Sequence, residues 1–108
     1  MRLYITAPGV GLRGRGRQRL EQRLRLILGS WSSHIRRAKV SLGAASNPEG
    51  GLERECLIEA QLIPSGSVRV QALGLDASTA LERAGRRLVV LVKDEFQRNP
   101  HGSQSGVF

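Results

Sequence analysis

Fifteen of the 17 basic residues in this 108-residue chain are arginine, and nine of them lie within the first 37 positions. Residues 1–39 carry ten basic side chains against one acid, Glu21, for a charge of +9, whereas residues 40–108 carry −1. A guanidinium is a planar fork of donors that grips phosphate oxygens two at a time and stacks on bases, so the composition points to a phosphate polyanion as partner. Arg15, Arg19 and Arg23 recur every four residues, a spacing that lines them along one side of a helix. Ten cations against one anion exceed what solubility asks of a surface. Only Tyr4, Trp31, Phe96 and Phe108 are aromatic. Recognition should therefore run mainly through backbone phosphate and shape, as is common for structured RNA. The same charges would also serve a protein-interaction adaptor that docks an acidic partner through its Arg-rich face.

No enzyme constellation competes with that reading. His34 and His101 are the only histidines; one stands beside a predicted strand and the other in a polar tail, so neither a metal site nor an acid–base pair is expected. Cys56 alternates with Ile58 and Ala60 on an apolar face, where a thiol acts as a small hydrophobe rather than a nucleophile. Glu53, Glu55 and Glu59 have the spacing of a solvated strand face. The cluster from Gly9 to Gly16 fits neither a Walker pattern nor GxGxxG, and reads as a flexible loop with a faint likeness to RGG segments. No catalytic residue, metal, cofactor or small-molecule substrate is expected. One cysteine cannot form an internal disulfide, and a reducing compartment follows. No stretch approaches the ~18 apolar residues of a membrane span. A soluble, cytoplasmic protein without a membrane partner is expected.

The elements that would position the arginines can be read from periodicity. Residues 2–7 alternate, with Leu3 and Ile5 on one side and Arg2, Tyr4 and Thr6 on the other, as in a half-buried strand. Leu20, Leu24, Ile27 and Leu28 give helical spacing from about Arg15 to Leu28, with Gly29-Ser30 as a stop. Alternation returns from Ile35 to Gly43. The turn-forming stretch from Gly43 to Gly51 predicts a surface loop. A third strand covers Glu53 to Ile63, Pro64-Ser65-Gly66 suits a hairpin turn, and Val68, Val70 and Ala72 mark a fourth strand. Asp76 is a candidate N-cap for a second helix, with Thr79 to Glu82 as a rival capping box. Gly85 costs that helix about 1 kcal/mol unless it permits close packing. The order β-α-β-β-β-α predicts an α+β two-layer sandwich. Its four-stranded sheet has both helices on one face. The last three strands form an antiparallel meander, and the first joins the sheet by crossing over the first helix. The guanidiniums are expected to converge on a single cationic surface.

The segment from Glu55 to Ala72, with Asp76-Ala-Ser-Thr-Ala-Leu-Glu-Arg-Ala-Gly-Arg-Arg-Leu88 after it, resembles the ribosome hibernation promoting factor family, also called the sigma-54 modulation or ribosome-associated inhibitor family. Its members show a V-E-V-x-L strand, a Pro-Gly-like turn, another strand, and then a D-x-x-x-A-I-D-x-x-x-D-K-L opening of the last helix. Asp76, Ala80, Leu81, Glu82, Arg87 and Leu88 fall on the marked positions of that last motif. Ser78 stands where the family has Tyr, Arg86 where it usually has Asp, and Gly43 to Gly51 replace a charged stretch. The chain is thus similar to a short, divergent form.

The resemblance implies a fold like that of double-stranded-RNA-binding domains over residues 1–96; the polar, Gly/Ser-rich end predicts a flexible tail from 97 to 108. It also implies RNA binding in the small ribosomal subunit's decoding channel, so that translation stops and idle ribosomes are preserved as part of a stress response. By position, Arg17 and Arg23 match basic sites of the family's first helix, Arg37 one at its second strand, and Arg87 and Lys93 ones on its last helix. Arg15 and Arg19 join them on charge and spacing, and Lys39 and Arg83 complete the RNA-binding candidates. The chain stops before the C-terminal dimerisation domain of long-form members, so pairing of ribosomes through such a domain is not expected.

Overall fold

Burial alternates with period two along four segments and with helical period along two others, and these become the strands and helices of the fold. The computed structural model describes residues 1–7, 14–46 and 51–98. In chain order they form β1 (Arg2–Thr6), α1 (Arg15–Leu28), a 3-10 segment (Gly29–His34), β2 (Ile35–Ser46), β3 (Leu52–Leu62), β4 (Ser67–Gly74) and α2 (Ala77–Arg98). The sheet runs β1-β2-β3-β4, with β1 parallel to β2 and the other pairs antiparallel. A parallel pair cannot be closed by a hairpin, and α1 supplies the crossover between its two strands. The α+β two-layer architecture and the meander of β2 to β4 are those expected from the sequence.

One core joins the layers. Leu20, Leu24 and Leu28 of α1 and Leu81, Leu88 and Val92 of α2 meet Val40, Ile58 and Val70 of the sheet, and no polar side chain is buried among the described residues. The helices lie side by side in the same direction. Gly85 of α2 brings them together, because a Cβ there would stand 3.0 Å from Leu24 Cδ1 and 3.1 Å from Ile27 Cγ2. The propensity this glycine forfeits is therefore exchanged for helix contact.

The ends of the elements have local causes. Asp76 caps α2, its Oδ1 accepting from Thr79 N at 2.7 Å, so the earlier of the two capping candidates is used. That bond, from backbone first, holds the Asp76 carboxyl below its usual range. Gly29 ends α1 at φ +55°, a region that penalises any Cβ, with its N–H bonded to Arg25 O. The chain then tightens into the 3-10 segment, where the sequence predicts only a helix stop. β2 also runs three residues past Gly43, where a loop was expected. Ala44, Ala45 and Ser46 pair with Arg54, Glu53 and Leu52, and ladder bonds outweigh weak turn preferences. Residues 47–50 of that loop, most of the glycine cluster, and His101 with the rest of 99–108 lie outside the described residues, while Gln97 and Arg98 continue α2.

Candidate nucleic-acid interface

The described arginines of α1 divide by what they touch. Arg15, Arg17 and Arg19 are exposed in the first two turns. Among the described residues no carboxylate lies within ion-pair distance of them. Arg23, by contrast, crosses to α2: its Nε donates to Glu82 Oε2 at 3.1 Å and its Nη2 donates to the same oxygen. Arg86 reaches the other oxygen of Glu82 at 3.3 Å. The hydrogen bonds from Arg23, with its charge close behind, hold the Glu82 carboxyl below its usual range. Arg25 is paired with Glu21 at 3.4 Å. Glu82 thus neutralises part of the helical stripe. It lies 59 residues from Arg23 in sequence, so no local spacing announces the pair.

Because the helices run in parallel, the starts of both meet. Gly16, Arg19, Leu20 and Arg23 face Asp76, Ala77 and Ser78 across a shallow cleft of about 490 Å³. Helix N-termini and cations favour phosphate in such a place, while Asp76, which caps α2, works against it. The remaining α2 candidates are committed differently. Arg83 Nη1 donates to Leu73 O at 2.9 Å and Arg87 Nη1 donates to Gln71 O. Both cover outward carbonyls of β4, an edge strand, and so protect an edge that would otherwise invite pairing. Lys93 is exposed further along the helix and has no ion pair among the described residues.

Arg37 and Lys39 do not join the helical arginines. Ala38, Val40 and Leu42 of β2 face the core, so the alternating Arg37 and Lys39 project from the opposite, open face of the sheet. The expected single cationic surface is corrected to two, separated by the thickness of the sheet. The open face is ordered in rows set by strand register. Arg2, Arg37, Gln61 and Ser67 make one row, and Tyr4, Lys39, Glu59 and Arg69 the next. Thr6, Ser41, Leu57 and Gln71 form an uncharged third row, beyond which Glu55 and Glu53 stand opposite Gly43 and Ala45. Charge therefore passes from positive to negative along the strands. A hollow of about 420 Å³ opens over the positive end, lined by Arg37, Lys39, Glu59, Gln61, Ser67 and Arg69. Arg2, Tyr4 and Arg69 were not among the sequence-based candidates, although the alternation of residues 2–7 already set Arg2 and Tyr4 apart from the apolar side.

Among the described residues, neither the thiol nor the imidazole is set up as a reactive group. Cys56 is fully buried, and desolvation, with Glu55 close by, pushes its thiol up to about 12. His34 packs against Trp31 and Phe96 with ring centroids at 5.0 and 4.7 Å. No cluster of three metal-ligating side chains occurs among the described residues, and no described helix is long and apolar enough to cross a membrane.

Comparison with solved structures finds this arrangement of helices and sheet again. A ribosomal subunit interface protein from Coxiella burnetii superposes with a TM-score of 0.73 at 18% identity, over 90% of this chain and 99% of that one. The N-terminal domain of Thermus thermophilus Protein Y gives 0.67 at 25% identity, over 88% and 99%. The chain has the fold of the ribosomal subunit interface proteins. These neighbours support the family resemblance carried by the Glu55–Leu88 motifs, so motif and fold agree. No protein-family profile matches the sequence, and no curated protein matches it significantly.

Proposed function

We propose that this protein is a ribosome-associated translation inhibitor, a hibernation factor that binds ribosomal RNA in the decoding and mRNA channel of the small subunit. The observation that carries the reading is the set of three exposed guanidiniums, Arg15, Arg17 and Arg19, at the start of α1 on this fold, without an ion pair among the described residues. Such groups bind phosphate without a change in the protein, and their affinity depends on counterion release. Arg23 contributes less than its place in the stripe implies, because Glu82 holds it. Arg83 and Arg87 act first on the β4 edge and are available to RNA through their remaining donors. The activity is steric: occupying the channel excludes message, and no bond is made or broken.

Cosedimentation with small subunits through sucrose gradients tests this. The protein should travel with the subunit at low salt and leave it at high salt. The Arg15→Glu/Arg17→Glu/Arg19→Glu variant should remain folded and stay at the top of the gradient. Absence of cosedimentation at low salt contradicts the proposal. Capture of an acidic protein partner that survives nuclease would favour the adaptor reading instead.

A further inference from the structure

The positive end of the open sheet face has a feature that folding does not explain. Arg2 and Arg37 are register partners on neighbouring strands, about 4.8 Å apart at the backbone. Like charges placed opposite each other on a sheet are destabilising. Among the described residues no carboxylate pairs with either. In the adjacent row Glu59 lies between Lys39 and Arg69 in register, yet it makes no ion pair with them, so these cations too remain available. Tyr4 stands in that same row, 47% exposed, next to the row of the Arg2–Arg37 pair.

We infer that this end of the open face is a second RNA-binding surface that takes a single-stranded segment. Arg2 and Arg37 hold a phosphate between them, Tyr4 stacks on a base, and Lys39 and Arg69 follow the backbone. Stacking on an aromatic ring is tolerant of sequence and adds to phosphate contacts, the combination that single-strand binders use. The acidic end, with Glu53 and Glu55, repels the strand and limits the footprint to the first two rows. Since α1 lies on the other side of the sheet, the chain would touch two RNA segments at once. The inference rests on the RNA-binding reading above and adds to it a surface that the helices do not contribute to.

The test uses the whole chain and a fluorescent eight-nucleotide oligouridylate in anisotropy titrations at 50 mM salt. Arg2→Glu/Arg37→Glu should weaken binding by more than about tenfold. Tyr4→Ala should weaken it by about tenfold and Tyr4→Phe should restore it, because the ring and not the hydroxyl stacks. The triple α1 variant should keep most of its oligouridylate affinity while losing cosedimentation. Circular dichroism and melting curves establish that each variant is folded. Undiminished affinity in either sheet variant, or loss of oligouridylate binding in the α1 variant, overturns the inference. Failure of these arms with cosedimentation intact sinks the second surface alone; oligouridylate binding as described without cosedimentation sinks the ribosomal reading alone.

Discussion

Gly74 closes β4 directly beneath the first turn of α2. A Cβ there would lie 2.6 Å from Ala80 N and 3.0 Å from both the carbonyl carbon and Cβ of Thr79. Non-bonded carbon atoms rest about 3.5–4 Å apart, so Gly74→Ala forces the turn outward by roughly 1 Å, and most of the obstruction is backbone that no rotamer change can relieve. Overpacking of this kind costs about 1–3 kcal/mol, and the reduced freedom of the unfolded chain returns about 0.4–1 kcal/mol. A net loss of about 1–2 kcal/mol lowers the Tm by roughly 5–15 °C in a chain of this size. Gly85→Ala is the internal comparison. There the obstructing atoms are the ends of Leu24 and Ile27 at 3.0 and 3.1 Å, which need to give by only tenths of an ångström, and the helix gains about 1 kcal/mol in propensity. Its stability should stay within about 1 kcal/mol of the parent. Thermal and urea unfolding followed by circular dichroism measure both. A Gly74→Ala protein as stable as the parent, or a larger loss at Gly85, would refute the reasoning.

Three further outcomes follow from the site and the core. Glu82→Gln should raise RNA affinity severalfold, because it releases Arg23 and Arg86. The folded carboxyl titrates below its unfolded value, so its contribution to stability is present above the unfolded carboxylate range and is lost as pH falls through the folded value. The acid limb of the stability curve should therefore be shallower in the variant than in the parent. Cys56 has the opposite sign: the folded thiol stays protonated while the unfolded one ionises from its ordinary 9.0, so stability falls as pH rises from there toward about 12. Comparison with Cys56→Ala over that window should show a smaller alkaline loss, and thiol labelling of the native protein should be no faster than opening. Finally, three phosphate contacts from Arg15, Arg17 and Arg19 give a slope of about −2.7 in log affinity against log salt, or about 40-fold between 50 and 200 mM. Filter binding of the triple variant to ribosomal RNA should show a slope shallower by that amount, and an unchanged slope would remove α1 from the interface.

Much of the fold was legible because its signals are local. Leu20, Leu24 and Leu28, bounded by Gly14 and Gly29, mark α1 from one end to the other, and Pro64-Ser65-Gly66 marks the hairpin whose closing bond runs from Leu62 N to Gly66 O at 2.8 Å. Alternation likewise placed Cys56 inside. The site was less legible because it depends on contacts between distant residues. Nothing near Arg23 foretells its capture by Glu82, and nothing near Arg37 foretells that it faces Arg2 across a parallel pair. Counted by segment, the arginines of residues 1–39 form one group. The pleat, by sending Arg37 and Lys39 to the side opposite Ala38 and Val40, divides them. The packing of Trp31, His34 and Phe96 is hidden for the same reason, since one ring comes from α2 and two from the 3-10 segment.

The most direct test of the account is the structure of the protein bound to the small ribosomal subunit by electron cryomicroscopy. The account predicts density for the chain in the mRNA channel, with Arg15, Arg17 and Arg19 against one stretch of ribosomal RNA and the Arg2–Arg37 row against another. Density outside the channel, or a complex in which both basic surfaces face solvent, would contradict it.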